Sequence, residues 1–531
     1  MDLDDSASRV HSPWSPFRHK TFSVIWTATL VANIGGWMYS SSSGWLMTTL
    51  DADPMMVSLV QVASNLPLFL FAVPAGALAD IVDKRRFLIV AEIFITIAST
   101  AFAVLVWFDL ITPVMLLLFV FLIESGTAAT SPPWQSIVPQ LIPRPDLPPA
   151  VALNSVSINI SRALGPALGG VLTAAFGLAA PFWVNAVSNL GTIGALAWWR
   201  SPQNRSTLPA ERFASGISTG LRYARHNSHL RATLVRAVAF YLFASCYWAL
   251  LPLVARDQIG GGAKMYGALL GAIGVSAIAG SFALPWMKAK LGPNRLVAAG
   301  SIGTAGTLIL LGSSHAPLSA IAGCCIAGMS WIVVLASLNL SAQFALAEWV
   351  RGRGLAIYVT VFFGSMTIGS IAWGEFGRAG GVPLAHFIAA AAILLAIPLT
   401  WRWKLQTGAA IDLTPSAHWP SPVISEAIEN DSGPVLVTVE YRIDPANRAA
   451  FLRAIEHLSQ ERGRDGAYAW GIYEDTADRN RYLETFLVES WLEHLRQHKR
   501  VTNADRLLQD HIHHYLKGAV KVTHFVAPRT E

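Results

Sequence analysis

Long runs of apolar residues, separated by short polar or charged loops, make up most of this chain. A helix that crosses a membrane needs about 20 predominantly apolar residues. Runs of that length lie at 21–45, 55–79, 87–108, 113–138, 150–175, 180–199, 230–255, 265–287, 295–313, 317–345, 354–376 and 383–403. The pattern therefore predicts an all-α membrane protein with twelve transmembrane helices.

The pattern changes after residue 404. Residues 405–433 are rich in Pro, Ser and Asp, which predicts a tether, and residues 434–531 contain no apolar run of membrane length. Alternation of apolar and polar residues predicts strands at 435–441, 467–473, 481–488 and 521–526, and helical periodicity predicts helices at 445–460, 490–499 and 503–516. The order β-α-β-β-α-β predicts a C-terminal α+β ferredoxin-like domain in the cytosol.

These boundaries divide the chain into six predicted segments. They are a cytosolic N-terminal segment (1–20), an N-terminal six-helix bundle (21–199), a cytosolic linker (200–229), a C-terminal six-helix bundle (230–404), the tether (405–433) and the cytosolic domain (434–531). The two bundles are offset by about 209 residues, which predicts two pseudo-repeats of six helices.

Composition and charge support a membrane location. The chain is 53% hydrophobic and only 14% charged, with a net charge of +6, whereas soluble domains carry about 25% charged residues. The cations lie mostly in short loops on one side of the predicted helices, and Lys and Arg are retained on the cytoplasmic side. We therefore expect a multi-pass protein of the cell (inner) membrane with both termini in the cytoplasm. The basic charge predicts no nucleic-acid partner, because topology explains it.

Cysteine and histidine predict no metal site and no cofactor. Cys246, Cys324 and Cys325 lie in apolar runs and fit neither a disulfide framework nor a metal site. His511, His513 and His514 lie on a predicted helix without a convincing i, i+4 ligand pair, so solvated helix histidines are the favoured interpretation for them. His494 and His498 are spaced i, i+4 and could ligate a metal, which is the less favoured interpretation for that pair.

Two ionisable residues lie deep in predicted spans. Glu124 lies about 11 residues into span four and Arg162 about 12 residues into span five, so a rise of ~1.5 Å per residue places them at similar depth. We expect a Glu124–Arg162 pair near the membrane midplane that couples transport to protons, because ionisable residues at this depth usually mark a pathway. A structural ion pair that only fixes helix packing is the alternative.

Other polar and aromatic residues at middling depth are candidates to line a substrate cavity. They are Asn33, Trp37, Asn65, Asn189, Tyr241 and Trp331. Bonding or packing between neighbouring helices is the alternative for each of them.

The loop between spans two and three runs from Gly76 through Asp80 to Arg86 and resembles the signature loop of the major facilitator superfamily, although Asp83 stands where the family usually has Gly. The resemblance implies that Asp80 meets the N-terminus of span eleven when the cytoplasmic side is closed. The predicted conformational gate comprises Gly76, Asp80, Lys84, Arg85, Arg351 and Arg353. The alternative is that the cations only anchor topology.

Span five carries Gly165, Pro166, Gly169 and Gly170, which permit close helix approach and a bend. This resembles the Gly-Pro motif of drug-extruding antiporters in the superfamily, where it is taken to favour export. A merely structural kink is the alternative.

Residues 133–139 and 152–166 resemble the transmembrane secretion effector family, which includes enterobactin exporters. The resemblance implies a proton-driven exporter that alternates between inward- and outward-open states. Its expected partners are a small amphipathic organic substrate (a drug, siderophore or secondary metabolite), protons and the lipid bilayer. An importer of the same fold stays open as an alternative.

Residues 488–498 resemble the small ferredoxin-like domains of the antibiotic-biosynthesis-monooxygenase type. Such domains pair through their sheets and can enclose an apolar ligand, so self-association through the tail is one expectation. We expect no enzyme activity, since a fold alone does not confer it. A permease whose tail is a ligand-sensing or monooxygenase-like module is the alternative.

Overall fold

The computed structural model describes residues 12–81, 83–200, 221–406 and 431–528, with 412–414, 416, 419, 422 and 428–429, and omits the side chains of 72–73, 75–81, 132, 135–136, 139, 144, 348 and 499. Long helices fill most of the described residues up to residue 400. The first seven are α1 (Lys20–Leu50), α2 (Pro54–Ile81), α3 (Lys84–Trp107), α4 (Pro113–Leu141), α5 (Leu147–Phe176), α6 (Ala180–Trp198) and α7 (Ser228–Leu253).

A 50-residue helical stretch follows, Ala263–Gly312, and it contains one non-helical residue, Gly292 (φ 66°). Because only glycine adopts that φ readily and Pro293 cannot continue a helix, the stretch divides into α8 (263–291) and α9 (293–312). The remaining helices of this part are α10 (Pro317–Phe344), α11 (Arg351–Gly380) and α12 (Val382–Thr400). Eight of the described helices are long and apolar enough to cross a membrane when Ala263–Gly312 counts as one.

Asp83, the departure from the signature loop, begins α3. Its carboxylate accepts a hydrogen bond from the backbone N–H of Arg86 at 2.8 Å. Aspartate is among the best N-cap residues, because its side chain satisfies an otherwise unpaired N–H of the first turn. The substitution of Gly by Asp at this position therefore stabilises the start of α3.

The backbone of α5 is in contact with that of α8. A Cβ added to Gly267 would lie 2.7 Å from the carbonyl oxygen of Pro166, and one added to Gly274 would lie 2.6 Å from the Cα of Ala163. No side chain fits at such distances from backbone atoms, so the two helices approach this closely only because both positions are glycine.

The same end of the bundle is closed by further contacts. Trp45 of α1 stacks on Tyr266 of α8 with 6.2 Å between ring centroids, and the Arg256 guanidinium donates to the carbonyl of Thr48. Gly377 of α11 packs on Pro54 of α2, where an added Cβ would lie 3.1 Å from the Pro54 Cβ. These residues lie at the helix ends that the charge pattern predicts to be outside.

Contacts divide the chain into two compact units. One comprises Met1–Ala210, Val235–Leu338 and Val359–Arg402, and the other comprises Glu211–Leu234, Asn339–Tyr358 and Trp403–Glu531. The second unit therefore joins the C-terminal domain to part of the predicted linker and to the loop between α10 and α11. The sequence predicts the linker (200–229), the tether (405–433) and the C-terminal domain as separate segments, whereas this unit contains parts of all three.

The C-terminal part folds around a four-stranded antiparallel sheet in the order β2-β3-β1-β4. The strands are β1 (Val435–Arg442), β2 (Tyr468–Glu474), β3 (Arg481–Val488) and β4 (Lys521–Val526), and the helices are α13 (Arg448–Arg464), α14 (Trp491–Arg500) and α15 (Asn503–His513). The predicted order of strands and helices is present, including the two separate helices predicted between β3 and β4.

Burial in β1 alternates, as the sequence pattern predicts for a strand with one face on a core. Val435, Val437 and Val439 are buried, together with Phe451 and Ile455 of α13. Ser490 caps α14 by accepting from the N–H of Glu493. This cap fixes where α14 begins, and that helix carries the residues described below.

Candidate functional site

Glu124 of α4 and Arg162 of α5 are both partly buried, but no ion pair joins them among the described residues. The Arg162 guanidinium instead lies over the ring of Trp37 of α1, 5.3 Å from its centroid, and its Nε has no hydrogen-bond partner in the described structure. The expected pair is therefore absent from this conformation. Position along a span predicts the depth of a side chain, but it does not predict the direction in which that side chain points.

The Glu124 carboxylate makes no hydrogen bond or ion pair with any described residue. The buried Tyr39 of α1 is close enough to interact electrostatically with it. Glu124 thus lies inside the bundle without a charged partner among the described residues.

Two further charged residues inside the bundle were missed by the sequence analysis. Glu92 of α3 is buried beside the indole of Trp134. Arg236 of α7 is 4% exposed; its Nη1 donates to the carbonyl of Asn294 and its guanidinium lies 5.5 Å from the Trp401 centroid. Both were visible as single charges within apolar runs, which is the signal that identified Glu124.

Tyr241 and Trp331 belong to an aromatic cluster between α7, α10 and α11. Tyr241 is fully buried, with its ring centroid 5.5 Å from Trp331 and 4.4 Å from Phe362. Trp331 also lies 5.3 Å from Trp248. Edge-to-face contacts at these distances stabilise packing, so the cluster favours the packing alternative for both residues in this conformation.

The three asparagine candidates lie in the N-terminal half. Asn65 of α2 and Asn189 of α6 are each 6% exposed, and Asn33 of α1 is half-buried. The Nδ2 of Asn65 has no hydrogen-bond partner in the described structure. A buried amide without a partner is costly, so Asn65 is the asparagine with unused capacity for a ligand or a water.

The Gly-Pro motif of α5 lies between two neighbouring helices. Gly165 meets the backbone of α1 beside Trp37, and Gly169 lies against Met38, where an added Cβ would be 3.2 Å from the carbonyl oxygen. Gly170 faces α8, and the Cβ of an alanine there would lie 2.6 Å from the carbonyl oxygen of Ala263. The motif residues thus permit α5 to contact α1 and α8 at once, with Pro166 at the α8 contact.

The side chains of Gly76 and Asp80 lie outside the described residues, as does any contact of theirs with span eleven. Lys84 and Arg85 begin α3, and Arg85 donates from Nε to the carbonyl of Leu196 (2.8 Å) and from Nη2 to that of Ala197 (2.6 Å). These are carbonyls of the last turn of α6, which have no helical partner, so Arg85 caps that helix. This contact supports a structural role for Arg85 in this conformation.

Arg85→Gln should therefore lower the unfolding temperature of the purified protein by a few degrees, since two hydrogen bonds from a charged donor are each worth about 1.5–3 kcal/mol at most. Thermal unfolding in detergent measures the effect. Arg86→Gln is the matched control, because Arg86 is exposed. Equal unfolding temperatures for both variants would show that the α6 cap contributes nothing.

The second unit places the loop before α11 against the linker. Asn227 donates from Nδ2 to the carbonyl of Ala345 at 2.8 Å, and the Tyr223 hydroxyl donates to the same carbonyl at 3.3 Å. The hydroxyl also accepts from the N–H of Ala347. Residues 221–226, which we call the linker helix, are thereby fixed to residues 345–347 at the entrance to α11.

The C-terminal domain joins the same cluster through α14. Arg500 lies over the ring of Trp349, 4.3 Å from its centroid, and pairs with Glu493 at 2.5 Å. Glu493 in turn lies 3.6 Å from Arg222 of the linker helix. Burial acts to raise the pKa of Glu493, but Arg500 and Arg222 outweigh it and hold the pKa below its usual value.

The two cationic gate candidates of α11 differ in their surroundings. Arg351 is exposed, whereas Arg353 is half-buried and lies within electrostatic range of Arg500, Arg496 and Glu493. The family resemblance links Arg353 to the loop after span two and gives no sign of a contact with the C-terminal domain. The structure places it beside α14.

Three imidazoles meet in the C-terminal domain: His494 and His498 of α14 and His524 of β4. The nitrogens of all three lie within 4.8 Å of one another, and the Nε2 atoms of His494 and His498 are 3.3 Å apart. Burial lowers the pKa of His494 to about 3 and that of His498 to about 4, with His524 adding to both shifts. The i, i+4 spacing marks His494 and His498 as a pair, but nothing in the sequence marks β4, and with it His524, as the neighbour of α14.

Comparison with known proteins places the chain in a family. The sequence profile of the family described as transmembrane secretion effector matches residues 11–530. The multidrug efflux pump Tap of Mycobacterium tuberculosis is 23% identical over 413 residues, which are 75% of this chain and 96% of that pump. The staphyloferrin A transporter of Staphylococcus aureus is 22% identical over 253 residues, 48% of this chain and 64% of that transporter.

Solved structures share the fold. The nucleoside transporter NupG superposes with a TM-score of 0.60 at 10% identity, over 72% of this chain and 99% of that one. A bacterial homologue of the human lysosomal transporter Spinster gives 0.56 at 12% identity, over 73% and 97%. The resemblance seen in the sequence is thereby confirmed at the level of the family and of transport. The chain is a multi-pass membrane transporter of the major facilitator superfamily and belongs to its transmembrane secretion effector family.

Proposed function

We propose that this protein is a secondary active exporter that moves a small amphipathic organic molecule out of the cell in exchange for protons. The family match across residues 11–530 carries the proposal, and relatives named as efflux pumps support the direction. Twelve spans, with both termini in the cytoplasm, form the transport unit in the cell membrane. The test is substrate movement in proteoliposomes under an imposed pH gradient.

Glu124 is the proposed proton acceptor. No described side chain forms an ion pair with its carboxylate, which lies near Tyr39. Arg162, which lies on Trp37 in this conformation, is the proposed partner in the alternate conformation. Protonation of Glu124 would then release Arg162, and deprotonation would attract it, so the two side chains couple proton binding to helix movement.

Closure of the predicted outer end supports an inward-facing state for this structure. The contacts of α5 with α8 and of α2 with α11 close that end. Substrate would enter from the cytoplasm beside Asn33, Trp37 and Asn65, and the α5–α8 contact would open to release it outside. The gate formed by Gly76, Asp80 and the start of α11 would then close the cytoplasmic end, as the family resemblance implies.

The substrate class follows from the side chains available. Asparagines and tryptophans dominate the candidates, which suits a molecule with both polar and apolar parts. A drug, a carboxylate or catecholate siderophore, or a secondary metabolite meets that description. The staphyloferrin A transporter and macrolide efflux protein A among the relatives support this range.

The C-terminal domain, which we propose to be ferredoxin-like, is a regulatory module. The single observation in its favour is the cluster of Glu493, Arg500 and Trp349, through which α14 contacts the loop leading into α11. A monooxygenase-like tail is the second candidate, which the relatives disfavour because they are named as transporters and efflux proteins. Import by the same fold is also compatible with alternating access.

Arg500→Ala should release the domain from this loop. The substitution removes the contact with Trp349 and leaves the buried Glu493 short of its closest partner, and breaking a buried ion pair is worth about 3–5 kcal/mol. We expect proteolysis within 405–433 to become at least about tenfold faster, because each 1.4 kcal/mol of weakened docking is a factor of 10. Limited proteolysis of the full-length protein measures this.

Arg506→Ala is the matched control, since Arg506 pairs with Asp510 at a distance of 3.8 Å where both side chains are more than half exposed. Transport by Arg500→Ala and by a chain lacking residues 420–531 completes the test. Regulation predicts that both change the response of transport to substrate concentration. Unchanged proteolysis and unchanged transport in Arg500→Ala would contradict the regulatory contact.

A further inference from the structure

Three histidines of the C-terminal domain converge at one point of its surface. His494 and His498 are one turn apart on α14, and His524 lies on β4 at the edge of the sheet. His494 is 1% exposed, whereas His498 and His524 are half-buried. One side of the cluster is therefore closed by the domain core and the other side is accessible.

The separation between the first two imidazoles is that of ligands on one metal ion. Zinc–nitrogen bonds are about 2.0–2.1 Å long, so two ligands at a tetrahedral angle lie about 3.3–3.4 Å apart. The Nε2 atoms of His494 and His498 are 3.3 Å apart. The ring centroids of His494 and His524 are 4.6 Å apart, so a small rotation of the half-buried His524 brings its nitrogen to the same centre.

The side chain of Gln497 fixes the orientation of the buried His494. The Nδ1 of His494 lies 3.3 Å from Oε1 of Gln497, a side chain only 1% exposed. Because the amide oxygen only accepts, Nδ1 donates the proton and the Nε2 lone pair points towards His498. Metal-bound histidines usually donate their other ring N–H in this way, which fixes their tautomer.

Among the described residues, the one cation near the three histidines that the electrostatics single out, Arg462, does not prevent a metal ion from binding between them. Arg462 is near the imidazoles and would repel a metal ion, but it is paired with the fully buried Glu484 at 3.3 Å. The Glu484 carboxylate is also bound by Trp470 and Tyr441. The Arg462 charge is therefore balanced within the domain core, and its guanidinium lies over the ring of Trp419 (4.8 Å to the centroid).

We propose that His494, His498 and His524 form a binding site for a borderline divalent metal ion, with zinc as the best match. Three neutral nitrogens occupy three positions of a tetrahedron, and the accessible side leaves the fourth for water or an anionic ligand group. A hydrogen bond between His494 and His498 is the competing explanation for their approach. That explanation accounts for two of the histidines, whereas the metal accounts for all three and for Gln497.

The site also lies on α14, which contacts the loop leading into α11 within the same compact unit. His494 neighbours Glu493, and the Glu493–Arg500 pair contacts Arg222 and Trp349. A metal that fixes α14 would therefore act on residues leading into α11. This consequence rests on the proposed regulatory role, whereas the metal site itself does not.

The experiment uses the full-length protein, purified in detergent through a tag without histidines, stripped with a chelator and titrated with Co²⁺ and Zn²⁺. We expect one ion per chain, visible-region absorption bands of tetrahedral Co²⁺ that Zn²⁺ abolishes, and a higher unfolding temperature with Zn²⁺. His498→Gln and His524→Gln should each weaken binding at least about tenfold. Both are half-buried, so folding can be checked by their unfolding temperature without metal.

His511→Gln is the matched control, because this exposed histidine of α15 lies outside the cluster. It should bind like the unmodified chain. Absence of stoichiometric binding would overturn the proposal, and so would binding that survives both His498→Gln and His524→Gln. Loss of binding in His498→Gln with full retention in His524→Gln would contradict the three-histidine site.

Discussion

Glu124→Gln should abolish proton-driven efflux while leaving the protein folded. Glutamine keeps the shape of a protonated glutamate but cannot release a proton, so a pH gradient can no longer drive the cycle. An ionised side chain at the centre of a helix costs about 2.5–3.5 kcal/mol in the membrane. Loss of the protonation step at Glu124 therefore corresponds to a drop of about a hundredfold in the rate of efflux driven by the pH gradient. Efflux of a cationic dye such as ethidium, from everted vesicles with an imposed pH gradient, measures the rate.

Glu375→Gln is the matched control, because Glu375 pairs with Arg378 at 2.7 Å and both side chains are more than half exposed. It should transport normally. Glu92→Gln distinguishes the buried Glu92 of α3 from the partly buried Glu124 of α4 as the coupling residue. Full gradient-driven transport by Glu124→Gln would remove the proposed coupling site, and loss of transport in Glu92→Gln alone would place coupling on α3.

Gly267→Val should hold the α5–α8 contact apart and reduce transport at least about tenfold, since overpacking of a closed contact costs about 1–3 kcal/mol. Even the first added carbon would lie 2.7 Å from the backbone oxygen of Pro166, which cannot move aside as a side chain can. The substitution therefore disfavours the state that is closed at the predicted outer end. Ethidium efflux measures the loss.

Labelling of a cysteine introduced beside the α5–α8 contact identifies why Gly267→Val loses transport. Ser42 is 5% exposed and lines a narrow space between α1, α5 and α8, together with Trp45 and Tyr266. In a chain without the exposed Cys325, Ser42→Cys should react slowly with a membrane-impermeant maleimide added outside and faster when Gly267→Val is present. Gly194→Val is the control, because no atom lies within 4 Å of a Cβ added there. Equal labelling and transport in both valine variants would contradict a closed outer contact.

Helices and strands followed from the sequence because each follows from a local pattern. Apolar runs predict the long helices up to α12, and period-two alternation predicts β1 to β4 at the positions along the chain where the structure has them. The break at Gly292 was also predicted, since the two predicted spans 265–287 and 295–313 lie on either side of it.

Side-chain neighbours did not follow from the sequence, because they depend on the rotation of each helix and on pairing between distant segments. Glu124 and Arg162 lie on consecutive spans, yet Arg162 contacts Trp37 of α1 instead. His524 joins His494 and His498 only because the chain pairs β4 with β1. The approach of Arg353 to Arg500 likewise joins segments separated by more than a hundred residues, and no local pattern records such a contact.

The decisive test of proton-coupled export uses the unmodified protein in proteoliposomes, with ethidium and a siderophore as probes and an imposed pH gradient as the only driving force. Antiport predicts that substrate moves against the proton flow and that protons move when substrate is added. It also predicts that reversing the gradient reverses the movement. Substrate movement that ignores the gradient, or that runs in the same direction as the protons, would contradict antiport.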